Sequence, residues 1–247
     1  MLKRLYDKSK ILFSVAWIIA YCVLMSAGDA LSAQLGVEKA VTLPVGLLLS
    51  TVLFLFLRKH GLLARYGFCA PRVSARAMLW YLPVVLMLTA NLWYGVTANY
   101  GVGESVLYVC SMLCVGFLEE VIFRGLLFLA MCEENVKAAV TVSSVTFGIG
   151  HIINLINGSG AELLPNLLQV IYATAAGFMF VMLFYKTKSL IVCILAHGLF
   201  NALSVFANEA SATTGTQILF AIALTVITGL YGTYIALTMK NPENRMP

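Results

Sequence analysis

Six polar residues stand in stretches that are otherwise apolar: Glu119, Glu120 and Arg124 in one, His151 in the next, and His197 with Asn201 in a third. Two carboxylates, a guanidinium, two imidazoles and an amide form a set able to activate water and to stabilise the oxyanion of amide hydrolysis. Their spacing assigns them to faces. Glu120 and Arg124 are four apart, so they share a helix face and can pair. Glu119 lies about 100° further round; one guanidinium cannot neutralise two carboxylates, so Glu119 must find another partner. Asn201 follows His197 by four and shares its face. In the run Phe147-Gly148-Ile149-Gly150-His151, two glycines precede the imidazole and permit either close helix approach or entry of a substrate backbone. Ser143 and Ser144 lie a turn or more from His151. No serine or cysteine stands at a recognisable spacing for a covalent nucleophile with its base.

These groups must be positioned by membrane helices. Of 247 residues, 61% are hydrophobic and 11% charged, where a soluble domain carries about 25% charged residues. A crossing needs about 20 apolar residues, and eight segments qualify: 11–27, 42–57, 78–97, 105–131, 138–156, 165–185, 189–207 and 216–239. The expected fold is therefore all-α, a single polytopic bundle over 1–247 with about eight transmembrane helices. Of the 16 Lys and Arg residues, all except Lys39 and Arg124 fall in the two tails or in the loops 58–77, 132–137 and 186–188. Eight crossings put all of those on one side, which the positive-inside rule makes cytoplasmic. Both termini are then cytoplasmic and the protein is a multi-pass protein of the inner (plasma) membrane. The opposite side holds Asp29, Glu38, Glu104, Glu162 and Glu209, with Lys39 its one base. Placing an ionised side chain in mid-bilayer costs about 2.5–3.5 kcal/mol on insertion scales, so such groups face one another or a wet cavity. Counted from the cytoplasmic ends at about 1.5 Å per residue, Glu119, His151 and His197 lie roughly 18, 20 and 12 Å deep, close enough to meet.

Other features read as structural. The six cysteines lie in or beside apolar runs and suit small buried hydrophobes. The basic N-terminus followed by apolar 11–27 reads as a retained first span rather than a cleaved leader. Loop 58–77 is expected on the inner leaflet, with Tyr66 and Phe68 at the interface, or simply solvated. Asp29 and Glu38 are expected to be solvated, and Pro83 to kink the third span. No basic run or stacking platform suggests a nucleic-acid partner.

Glu119-Glu120-Val121-Ile122-Phe123-Arg124 matches the pattern EExxxR, Phe147 to His151 matches FxxxH, and His197 to Asn201 matches HxxxN. In this order, over roughly 105–207, they resemble the signatures of the CPBP family, the type II CAAX prenyl endopeptidases and bacteriocin-processing or immunity proteins also called the Abi group. The resemblance implies a helical membrane fold with its site in a cavity open to the membrane or the cytoplasm. It also implies peptide-bond hydrolysis of a membrane-associated peptide or protein within the lipid bilayer. With geometry, it assigns Glu119 as general base sharing a water with His151, Arg124 as the holder of Glu120, and His197 and Asn201 as oxyanion donors. Two cofactor readings stay open: none, or one divalent metal such as zinc held by His151, His197 and Glu119. Two other functions use the same residues: a non-catalytic interaction or immunity protein, and a transporter or proton relay. The oligomeric state is not set by these features.

Overall fold

Inside lipid a backbone can satisfy its N–H and C=O groups only as helices or a closed barrel. The computed structural model, which describes residues 2–157 and 161–239, shows helices; among these residues there is no strand, only an isolated bridge between Val96 and Ala207. Among the described residues, seven helices are long and apolar enough to cross a membrane: Lys10–Leu35, Thr42–Lys59, Ala75–Leu92, Val102–Cys132, Val136–Leu155, Leu163–Thr187 and Thr214–Leu237. A shorter apolar helix, Leu190–Phe206, lies between the last two. In chain order these are spans 1 to 8, span 7 being Leu190–Phe206. Each overlaps one of the eight segments expected from hydropathy, and the protein is an all-α polytopic membrane bundle. Lys240 and Arg245, two bases assigned to the cytoplasmic tail, lie outside the described residues.

Hydrogen bonds show which loops share an end. At one end, Glu133 pairs with Lys10 and Arg65, the Arg72 N–H donates to Thr187 O at 2.8 Å, and Lys186 Nζ reaches Thr238 Oγ1 at 2.7 Å. At the other, Glu38 N–H donates to Glu104, Lys39 pairs with Asp29 at 2.9 Å, and Asn208 N–H donates to Gly95 O. The first end carries most of the bases, and the second carries Asp29, Glu38, Glu104 and Glu209 with Lys39.

The loop at the basic end is built into the fold. Tyr66 is buried and its hydroxyl lies 3.0 Å from that of Tyr6, while Phe68 packs on Phe54 and Phe117. Leu190 N–H donates to Gly67 O, and Ser189 Oγ to Cys69 O at 2.6 Å. The expectation that Tyr66 sits at the interface fails because the loop turns inward to cap the joint between spans 6 and 7. Asp29, expected to be solvated, belongs to span 1, which continues to Leu35; besides Lys39 it accepts from Thr42 Oγ1 at 2.7 Å. Burial opposes the charge on Lys39, but Asp29 and Glu38 outweigh it and hold the ammonium pKa above its usual value.

Span 3 breaks before Pro83, not at it. Leu79, Trp80 and Tyr81 have φ of 49°, 53° and 57°, and a fresh helix starts at Leu82 with proline in its first turn. There the missing N–H would have had no helical acceptor. Tyr231 Oη donates to the Met78 carbonyl at 2.7 Å, supplying a partner where the helix is interrupted.

Small residues bring the site-bearing helices together. Span 4 packs along span 7, and span 5 along span 6. A Cβ on Gly116 would stand 2.5 Å from the Gly198 Cα, and one on Gly148 would stand 2.9 Å from the Thr174 N. The two glycines ahead of His151 thus divide the roles left open by the sequence. Gly148 permits helix contact, whereas Gly150 has nothing within 4 Å of where its Cβ would be.

Candidate active site

The site grows from the middle of span 4. Glu119 and Glu120 are consecutive and both buried, Glu120 completely. Arg124 Nη1 lies 3.0 Å from Glu120 Oε1, the pair expected from their spacing. The same oxygen is 2.8 Å from His197 Nδ1 on span 7. A carboxylate can only accept, so Nδ1 carries the proton and Nε2 is turned the other way. Nε2 faces Glu119, 3.5 Å from its Oε2. His197 therefore stands between two carboxylates from adjacent positions of one helix. The second partner that Glu119 needed is Tyr21 of span 1, whose hydroxyl donates to Oε1 at 2.6 Å. Glu119 Oε2 is buried and has no hydrogen-bond partner among the described residues.

An aromatic frame holds these groups. The Arg124 guanidinium lies over Phe147 at 4.1 Å from the ring centroid and over Phe180 at 5.3 Å. Phe180 stacks on His197, with centroids 5.4 Å apart and planes 23° from parallel. Phe147 meets both His151 and His197 edge-on, at 5.4 and 5.5 Å. Aromatic faces attract a cation where water is excluded, so these rings hold a guanidinium that has few hydrogen-bond partners. Glu120–Phe128 is a π-helix within span 4, a wider coil that is frequent at functional sites and is mostly a single turn. All nine of its side chains are buried.

Two cavities meet at His151 and Phe147, which line both. One, of about 90 Å³, also touches Tyr21, Cys22, Asp29, Glu119, Gly150 and Asn154. The other, of about 50 Å³, also touches Gln169, Tyr172, Phe180, His197 and Asn201. All six residues singled out from sequence thus gather in one region: Glu119, Glu120, Arg124 and His197 by direct contact, and His151 and Asn201 along the cavity walls. Asn154 joins the first cavity while its amide donates to Gln169 at 3.2 Å. Ser143 and Ser144 are engaged elsewhere, donating to the carbonyls of Phe123 and Val140. The six cysteines are free thiols. His60 packs on Phe56, away from the site.

Among the described residues no group of three or more His, Cys, Asp or Glu side chains is placed to hold a metal ion. One feature suits a metal ligand, the carboxylate behind His197 Nδ1, and His197 Nε2 lies 3.5 Å from Glu119 Oε2.

Tyr21 was not evident from the sequence. It lies eleven residues into span 1, at about the depth of Glu119, where a hydroxyl is costly without a partner. Depth was the available signal; a tyrosine among apolar residues does not otherwise stand out.

Residues 101–203 match the family described as "Type II CAAX prenyl endopeptidase Rce1-like". The chain is also similar to a curated protein of Bacillus subtilis (strain 168), "Putative membrane peptidase YdiL", at 34% identity over 101 residues. That alignment covers 40% of this chain and 36% of the relative, so it spans about a third of the relative's length. No solved structure matches.

Proposed function

We propose that this chain, which resembles the CPBP family over residues 101–203, is an intramembrane endopeptidase that hydrolyses a peptide bond with a water activated by Glu119 and His151. The observation that carries this reading is the state of Glu119. One of its oxygens is held by Tyr21, and the other, unpartnered, faces His197 beside a polar cavity large enough for water. A carboxylate so arranged is oriented yet still has a lone pair to offer.

The steps follow from the groups at hand. Water lies between Glu119 and His151. Glu119 takes its proton as the oxygen attacks the carbonyl carbon, and the carbonyl π electrons move onto oxygen. The Asn201 amide donates a hydrogen bond to that oxyanion, while His197, held in place by Glu120 through Nδ1, keeps Nε2 turned toward Glu119 as an acceptor. On collapse the C–N bond breaks, and the proton held by Glu119 passes to the departing amine nitrogen. Arg124 offsets the Glu120 charge, so that two adjacent carboxylates can coexist in an apolar interior. Each group has one task, and none requires a covalent enzyme intermediate.

The substrate class is a membrane-associated peptide or protein, and the location a multi-pass position in the inner (plasma) membrane. Comparative membrane proteomics of wild type against Glu119→Gln tests the reading. Membrane-proximal termini present with the wild type should disappear in the variant while the uncut precursors accumulate. Unchanged termini, with both proteins present at equal level, would exclude the peptidase reading.

A further inference from the structure

The end of the bundle that carries Asp29, Glu38 and Glu209 holds a cavity with no part in the proposed hydrolysis. It encloses about 170 Å³, more than either cavity at the site. It lies just beyond the end of span 3 at Leu92 and beside the start of span 8 at Thr214, the level at which a bilayer changes from hydrocarbon to headgroups.

Three of its walls are aromatic rings. Tyr94 and Phe220 stand 5.2 Å apart with planes 30° from parallel, and Tyr172 meets Phe220 at 84° with centroids 5.7 Å apart. The rings therefore face the space from more than one direction, and ring faces attract a cation. The polar tips near them are occupied. The Tyr94 hydroxyl donates to the Thr216 carbonyl, and the Asn91 amide donates to the Phe200 carbonyl at 2.6 Å.

Charge points to the same kind of occupant. Glu209 lines the cavity from an exposed position. Among the described residues no Lys, Arg or His pairs with it. Lys39, the one base at this end, is bonded to Asp29 and Glu38. A carboxylate beside three rings thus has no cation of its own.

The rim is built. The loop carrying Tyr94 and the loop carrying Glu209 are joined by the bridge between Val96 and Ala207. Thr97 N–H donates to Phe206 O and Asn208 N–H to Gly95 O. Asn99 Nδ2 donates to the carbonyls of Val205 and Ala207, each at 2.9 Å. Ring and carboxylate are held in place before any ligand arrives. A primary ammonium is strongly hydrated and brings three N–H donors that need acceptors. A quaternary ammonium has no N–H to satisfy, and its methyl groups suit ring faces.

We propose that this cavity binds a quaternary ammonium group, with Tyr94, Tyr172 and Phe220 as its cage and Glu209 as its counter-ion. The group comes from a choline-type lipid headgroup or from a free choline-type solute. The site stands apart from the endopeptidase reading, and only Tyr172 is shared with the cavity at His197.

Melting of the purified full chain in an uncharged maltoside detergent tests it. The probes are choline and dimethylbutanol, the neutral analogue in which carbon replaces the nitrogen, with sodium chloride keeping ionic strength equal. A ligand of the folded state raises the melting temperature, and the dependence on concentration gives its Kd. Choline should bind about tenfold tighter than the neutral analogue, the worth of a desolvated cation over aromatic faces. Glu209→Gln, at an exposed position, should weaken choline about threefold and leave the alcohol unaffected. Adding Phe220→Leu should erase the preference. Equal binding of choline and the alcohol by the wild type, or an undiminished preference in Glu209→Gln, overturns the proposal. Native mass spectrometry from nanodiscs of phosphatidylcholine and phosphatidylglycerol in equal parts then assigns the source. Retention of phosphatidylcholine that is lost in Glu209→Gln identifies the headgroup. Choline binding without lipid preference identifies the free solute, and either result upholds the site.

Discussion

The two ends of the bundle are built from similar apolar residues and behave as different materials. Toward the basic end, spans 4, 6 and 7 present an unbroken set of buried side chains, such as Phe128, Leu183 and Leu190. Toward the acidic end lie cavities lined by Tyr21 of span 1, His151 of span 5, Tyr172 of span 6 and Asn201 of span 7. Helix spacing is set by the contacts that glycine permits, at Gly116–Gly198 and Gly148–Thr174, and the charged groups sit where the close-packed half gives way to the hollow one. A packed half gives rigidity and a hollow half gives room, and hydrolysis inside a membrane needs both, since water must be admitted to groups that cannot be allowed to move.

The contrast predicts that substitutions will separate into those that cost activity and those that cost stability. The largest effect belongs to Glu119→Gln. It should lower turnover by about 10²–10⁴-fold, the range for a lost general base, with the purified protein melting near the wild-type temperature. A melting point that falls as far as the activity would mean that Glu119 is a packing group. Asn201→Ala should slow turnover by about 10²–10³-fold if its amide serves the oxyanion, again with little change in melting. On the packed side, Phe128→Ala should destabilise by about 3–5 kcal/mol, the usual cost of truncating a buried aromatic, and should leave turnover of the surviving folded fraction within a few-fold of normal. Arg124→Met straddles the boundary. It leaves Glu120 buried without its guanidinium partner, with only His197 Nδ1 against it, a loss of about 3–5 kcal/mol, and adding Glu120→Gln should restore much of that stability without restoring activity. Tyr21→Phe should be milder, about tenfold in turnover, the worth of one hydrogen bond to a charged group. Smallest of all is the effect expected of a chelator. Exhaustive treatment of the purified enzyme should leave cleavage unchanged, whereas loss restored by zinc would overturn direct activation of water by Glu119 and His151.

Much of this arrangement was legible in the sequence, for a physical reason. Charges in apolar runs are expensive, so Glu119, Glu120, Arg124, His151 and His197 announced themselves, and spacing alone paired Glu120 with Arg124. Hydropathy found the seven described helices long enough to cross and the shorter apolar helix Leu190–Phe206, because the bilayer demands an apolar surface of each. The parts that stayed hidden depend on neighbours rather than on local composition. Nothing in Glu120–Phe128 marks a π-helix, since those residues suit an α-helix equally well. The shared grip of Glu120 on both Arg124 and His197 needs span 7 to arrive from 77 residues away. Tyr66 looked like an interfacial residue and is instead buried against Tyr6, because the loop folds inward. The break at Leu79–Tyr81 was expected at Pro83, whose ring is compatible with the helix that follows it.

Tyr21 reaches Glu119 across 98 positions of sequence, from a helix that lies wholly outside the segment matched to the family. The carboxylate proposed as general base is therefore held by a part of the chain outside the motif-bearing core. Chimaeras that keep residues 101–203 and exchange the first helix would alter the reactivity of the same carboxylate without changing any signature residue. Two members with identical motifs could then differ in rate through a hydroxyl that motif comparison never samples.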